Sequence, residues 1–340
     1  SSASRYTLPL LFALFFVLKR CGSKYLVFSA TSQLTSLLMG AGIQLHPLVK
    51  ADVSKLQGNS DDWGTYYDTA PQVTALSLHH VTQHIIGCPE LNAHYQRAIE
   101  ALETNRARVL AAAPNLTGNL DNLETLSMST LSLIESGALV ESSERYRLAA
   151  DEMLIALESL AELYKDYLEI DAGEFAANTY GPTSLTAFLA TVYLSYAQNY
   201  PEHNQAYYAQ RAVDVLDRIH RKVWDEEMSV YRFAPGDERL MLYPNVTTMA
   251  ALARAYQVTG ERRFWARFEQ TFKGIQALKD DDGDHYHSPY SKESMGATDE
   301  DYATLSSQNY LMMALLAGYE VTGDEALLDE IDAIMGFIND

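Results

Sequence analysis

Two stretches of the 340-residue chain concentrate side chains able to grip and activate a polar substrate. The first holds Asp61, Asp62, Trp63, Tyr66, Tyr67 and Asp68; the second, from His285 to Tyr302, holds His287, Tyr290, Asp299, Glu300, Asp301 and Tyr302. Carboxylates accept the protons of sugar hydroxyls, and an aromatic ring stacks on the apolar face of a pyranose. Two carboxyl groups about 5 to 9.5 Å apart are also what hydrolysis of a glycosidic bond requires. One protonates the leaving oxygen, and the other attacks the sugar carbon or activates water. Asp68 and Asp301 are the expected catalytic pair. Asp62, Trp63, Tyr66, Tyr67, Asp299, Glu300 and Tyr302 are the expected substrate contacts. Arg254 joins them, because a guanidinium on a small-residue, apolar helix demands either an anionic ligand or an acidic partner.

Three loops share a spacing in which an acid precedes a tyrosine by six residues: Asp61 and Tyr67, Asp225 and Tyr231, Asp280 and Tyr286. Two readings fit it. Either the tyrosines are platforms for a sugar, or each loop is an acidic turn into a short β-hairpin whose tyrosine packs on the rim. Metal ligation is weighed at two places. His80, His84 and Cys88 recur every four residues, but Cys88 follows Gly87 in a turn and no fourth ligand is evident. Asp280, Asp282 and Asp284 alternate, but Gly283 and Ser291 do not fit a calcium loop. The expectation is therefore no metal and no cofactor.

The elements that position these residues are read from a 3.6-residue apolar period. First helices are expected to begin near residues 8, 72, 121, 183, 246 and 304, and partner helices near 24, 90, 142, 204, 261 and 324. The resulting hairpins cover about 6–43, 72–112, 121–166, 183–222, 246–279 and 304–338, within one domain spanning 1–340. Gly260 and Gly323 each follow Val-Thr, where a left-handed helix C-cap is cheapest as glycine. First helices such as TTMAALARAYQV are apolar nearly all round, whereas partners such as ERRFWARFEQTFKGIQAL carry one charged face. The former belong to an inner ring and the latter to an outer one. Six such pairs give an all-α (α/α)6 toroid with short β-hairpin loops at one mouth.

The run Leu8–Leu18 is halted by Lys19 and Arg20, well short of the about 20 apolar residues that cross a bilayer. It is read instead as a buried helix of the repeat. An Ala-Leu pair stands nine residues before Gly22, as it does before Gly260 and Gly323. No transmembrane segment is expected. A formal net charge of −20 argues against nucleic acid, which requires clustered cations, and favours a basic partner if there is a protein partner at all. Two cysteines, Cys21 and Cys88, permit at most one disulfide. A bridge would favour a periplasmic or extracellular location over a cytoplasmic one.

The stretch TDEDYATLSSQNYLMMALLAGYEVTGDEALLDEI, residues 298–331, resembles the six-hairpin glycosidase-like superfamily, notably the helical regions of N-acylglucosamine 2-epimerase-like and YyaL-like proteins. Tyr243 to Leu278 is similar but weaker. The resemblance implies a helical toroid acting on carbohydrate. The His and Arg pattern of epimerase catalysis is not found, nor is a redox C-x-x-C motif. The expected function is a glycoside hydrolase binding a saccharide, or another small polar ligand, at an acidic and aromatic mouth. The alternative is a non-catalytic accessory subunit of a larger, membrane-associated assembly.

Overall fold

The computed structural model describes residues 102–104, 106–107, 109–114, 123–137, 143–169, 181–237, 241–280, 283, 285–287 and 305–339. The described helices are α1 (Leu123–Gly137), α2 (Ser143–Leu163), α3 (Pro182–Asn199), α4 (Gln205–Val223), α5 (Leu242–Thr259), α6 (Arg262–Ile275), α7 (Leu305–Thr322) and α8 (Ala326–Asn339). The described strands are β1 (Trp224–Asp225) and β2 (Val230–Tyr231), which pair antiparallel. Helix starts lie within two residues of expectation except for α5, which begins at Leu242 rather than near 246. Pro244 allows the earlier start. A first-turn N–H has no intrahelical acceptor, so proline loses nothing there.

The chain divides into two compact units, Ser1–Pro114 with Met128–Met153, and Asn115–Ser127 with Leu154–Asp340. In the first, Glu103 binds Arg106 at 3.0 Å and Arg145 at 2.6 Å, and accepts a 2.5 Å hydrogen bond from the Tyr146 hydroxyl. Burial, helped by the neighbouring Glu103 carboxylate, pushes that phenol up to about 12. The second unit carries three complete hairpins, α3–α4, α5–α6 and α7–α8.

In these hairpins the all-round apolar helices are inside. α3 buries its residues on every side, from Pro182 through Ala197, and packs against α5, which packs in turn against α7. α4 and α6 bury only one stripe, exemplified by Phe264 and Phe268, both fully buried. Burying such a ring contributes about 1.5–3 kcal/mol. The outer helices are laced to one another by charge. Asp217 of α4 binds Arg263 and Arg267 of α6, each at 2.7 Å. Arg218 and Arg211 of α4 reach Asp166, just past α2, at 2.9 and 3.9 Å.

The repeated Val-Thr-Gly turn has a common mechanism. Gly260 and Gly323 both have φ near +71°, and their N–H groups donate to Tyr256 at 2.8 Å and Tyr319 at 2.7 Å. The preceding threonine works in both directions. Thr259 Oγ1 donates to the Ala255 carbonyl and accepts from Glu261 N–H; Thr322 does the same with Gly318 and Asp324. Each threonine thus ends one helix and orients the start of the next. Gly274 answers a different need, since a Cβ there would stand 2.1 Å from the Ser229 carbonyl oxygen. Only glycine lets α6 approach the β1–β2 turn so closely.

Candidate functional site at the inner-helix N-termini

Two of the acid-led loops are described, the second only at Asp280, Gly283 and His285–His287, and both carry an antiparallel pairing ahead of an inner helix. Asp225 Oδ1 accepts from the N–H groups of Glu227 at 3.0 Å and Met228 at 3.1 Å, which closes the β1–β2 turn. Its Oδ2 accepts from Arg232 Nη2 at 2.7 Å. Burial pushes the carboxyl up, but Arg232 and the two backbone donors outweigh it and hold it below 3.8. The unfolded chain therefore takes up the proton first as pH falls. Asp225 contributes its full stabilisation above about pH 4 and loses it as pH drops through the folded-state value. In Asp225→Asn the urea midpoint is expected to be lower at pH 7 and to fall less steeply below pH 4 than that of the unmodified chain, the difference reporting hydrogen bonds of about 1.5–3 kcal/mol each.

The tyrosines of these loops are structural. Tyr231 is 1% exposed, and its ring meets Trp224 edge-on at 4.9 Å. Its backbone is clamped by Asn245 of α5. Tyr231 N–H donates to Asn245 Oδ1 at 2.7 Å, and Asn245 Nδ2 donates to the Tyr231 carbonyl at 3.0 Å and the Met241 carbonyl at 2.8 Å. The next hairpin repeats the device. Lys279 and Tyr286 form a β-bridge, Tyr286 is fully buried, and Gln308 of α7 accepts from its N–H at 3.2 Å and donates to its carbonyl at 2.6 Å. The Tyr286 hydroxyl donates to Glu330 at 2.7 Å and accepts from Gln276 at 2.8 Å. A buried tyrosine cannot stack on a sugar, so in these two loops the rim-packing reading holds and the platform reading is corrected. Asp61 and Tyr67 lie outside the described residues.

Asn245 and Gln308 were not among the expected site residues, although a signal existed. Each is an amide at the fourth position of an inner helix, directly after an acid-led loop. Asn245 also begins an N-x-S/T sequon, but the residue is fully buried and committed to the backbone.

The N-terminal segments of inner helices α3, α5 and α7 meet through aromatic rings. Phe188 of α3, Tyr243 of α5 and Tyr310 of α7 stand 6.4, 6.0 and 5.0 Å apart for the pairs 188–243, 188–310 and 243–310. Phe188 and Tyr243 are buried, while Tyr310 is half-buried. Helix N-termini gather unpaired N–H groups and positive dipole ends. The first turn of α3 is already engaged by the chain beyond β2, with Thr183 Oγ1 donating to the Arg232 carbonyl at 2.8 Å.

Of the expected site residues, Arg254 is the one described. It lies in the C-terminal half of α5, away from the Tyr243 end, and is half-buried. It acts on Glu320 of α7, which is open to solvent yet crowded by protein; that crowding raises the Glu320 carboxyl and the Arg254 charge opposes the rise. Asp62, Trp63, Tyr66, Tyr67, Asp68, Asp299, Glu300, Asp301 and Tyr302 lie outside the described residues, as do His80, His84, Cys21 and Cys88. In sequence, Asp301 precedes the first residue of α7, Leu305, by four positions. Among the described residues, no helix is long and apolar enough to cross a membrane.

The Thermostable hemolysin family model matches residues 1–82, all outside the described residues. A comparison with curated proteins finds no match. Among solved structures, the chain is similar to a D-mannose isomerase, with 14% identity, TM-score 0.47 and coverage of 62% of this chain and 57% of that one. It is also similar to a sugar epimerase from a ruminal bacterium, with 13% identity, TM-score 0.45 and coverage of 70% and 75%. The chain thus spans less than two thirds of the length of the isomerase. In its described part the protein is mostly helical, with apolar inner helices, amphipathic outer helices and glycine-ended turns.

Proposed function

We propose that the protein is a carbohydrate-active helical toroid that binds a saccharide where the inner-helix N-termini converge and hydrolyses a glycosidic bond with Asp68 and Asp301. The observation that carries this reading is Tyr310. It is the half-buried member of an aromatic trio whose other members, Phe188 and Tyr243, are buried and pack against it edge-on at 6.0 and 5.0 Å. A ring packed in this way is held without further loss of side-chain freedom when a sugar stacks on it. The acids that would accompany it precede it in the chain, Asp299, Glu300 and Asp301 just before α7. Asp62, Trp63, Tyr66 and Tyr67 would complete the grip from the loop that carries Asp68.

The test is a glycan array followed by calorimetric titration of the oligosaccharides retained and by measurement of reducing ends released. The reading expects saturable binding that Tyr310→Ala weakens at least about tenfold, one lost stacking contact being worth about 1.4 kcal/mol. A second reading, a non-catalytic subunit that docks a basic partner, is favoured by the net charge of −20. It expects no glycan to be retained and none to be cleaved, and that result would remove the hydrolase.

A further inference from the structure

We infer that the hairpin before α7 carries a divalent transition-metal site made by Asp280, His285 and His287, with Zn²⁺ its best-suited occupant. The backbone register produces the cluster. Lys279 and Tyr286 are bridged antiparallel, Asp280 N–H donates to the His285 carbonyl at 2.9 Å, and His287 N–H donates to the Leu278 carbonyl at 2.8 Å. Side chains alternate along each strand, so with Tyr286 turned into the core, His285 and His287 share the opposite face. Asp280, cross-strand from His285, stands on that same face. One ligand atom from each of the three residues lies within 4.8 Å of the others.

The spacing suits a metal. Bonds of about 2.0–2.2 Å in tetrahedral geometry place two ligand atoms about 3.3–3.5 Å apart. His287 Nε2 and Asp280 Oδ1 are already 3.2 Å apart, and the His285 nitrogen need close by no more than about 1.5 Å, within the reach of a side-chain rotation. All three side chains are partly exposed, which leaves an entry path and room for water. Two imidazoles and one carboxylate with a water in the remaining position match the three-ligand sites of zinc and other first-row divalent cations. An oxygen-only calcium site is a poorer match to these donors.

The support beneath the cluster is built. Gln308 fixes the backbone of Tyr286, the residue between the two histidines, on both its N–H and its carbonyl. The Tyr286 hydroxyl is anchored on Glu330, which also binds Lys279 at 2.6 Å. The His285 ring lies stacked on Phe337 of α8, centroids 4.0 Å apart and planes 17° from parallel. Both strands are therefore held in place before any ion arrives, and the His285 ring has a fixed packing partner beside the site. Such preorganisation separates a metal site from a chance group of polar side chains.

The experiment uses the full chain after chelation, titrated with Zn²⁺ against a competing chelator. We expect a high-affinity site at one ion per chain. Asp280→Asn, His285→Gln and His287→Gln should each weaken it at least about tenfold, whereas His203→Gln, in the turn before α4, leaves it unchanged. X-ray absorption of the unsubstituted Zn²⁺ complex requires no variant and should count two imidazoles in the inner shell. Absence of a stoichiometric site, unchanged affinity in the three variants, or a shell without two imidazoles would overturn the assignment. Saccharide binding is a separate readout, so this inference and the carbohydrate reading stand or fall independently.

Discussion

Asn245→Ala is expected to destabilise the protein by about 3–5 kcal/mol, out of the about 5–15 kcal/mol that holds a typical domain together. The alanine removes three hydrogen bonds, of 2.7, 3.0 and 2.8 Å, and leaves the Tyr231 N–H and the Tyr231 and Met241 carbonyls without their side-chain partner. Water cannot replace it without entering the core, because Asn245 is fully buried and Tyr231 nearly so. Each abandoned polar group costs about 1–3 kcal/mol. Gln308→Ala removes two bonds rather than three and is expected to cost about 2–4 kcal/mol. Asn245→Asp keeps the acceptor for Tyr231 N–H but loses both donors and buries a carboxyl, so it should not rescue the alanine variant. Urea unfolding followed by far-UV circular dichroism measures all three. An Asn245→Ala midpoint within error of the unmodified chain would show that the hairpin is held by other means.

The second large effect is on turnover. If Asp68 and Asp301 are the glycosidase pair, Asp68→Asn and Asp301→Asn should each lower kcat by about 10²–10⁴. The amide is nearly isosteric, so stability should change little. The two variants are also expected to separate by leaving group. An aryl glycoside whose phenol leaves without protonation makes the general acid dispensable, so the variant of the acid recovers on it while the variant of the nucleophile or base does not. Loss in both variants with no recovery in either would mean that the roles are not divided between these residues. Unchanged turnover in either would remove that residue from the chemistry.

The helical frame was legible because its cause is local. Apolar period, small residues and the Val-Thr-Gly turns each act within a few residues, and the positive φ of Gly260 and Gly323 is the conformation that such turns demand. α5 starts four residues before its expected position because Pro244 sits in the first turn, where a proline loses no hydrogen bond. The acid-led loops were legible as hairpins, but not which face their tyrosines take. That choice is made by residues far along the chain. Asn245 reads Tyr231 across 14 positions, and Gln308 reads Tyr286 across 22. The cluster of Asp280, His285 and His287 was hidden for a related reason. The sequence offered a row of alternating aspartates, and only the register of the Lys279–Tyr286 bridge brings one of them beside two histidines. Arg254 was recognised as a charge on an apolar helix, and that charge opposes the rise that crowding by protein imposes on the Glu320 carboxyl of the neighbouring inner helix.

The most direct test of the central claim, that saccharide is held at the N-terminal ends of the inner helices, is hydrogen–deuterium exchange with and without a glycan retained on the array. Protection is expected in peptides covering the first two turns of α3, α5 and α7, around Phe188, Tyr243 and Tyr310, and in the segments that carry Asp68 and Asp301. Protection confined to the opposite ends, around Gly260 and Gly323, or to the outer helices α4, α6 and α8, would contradict it.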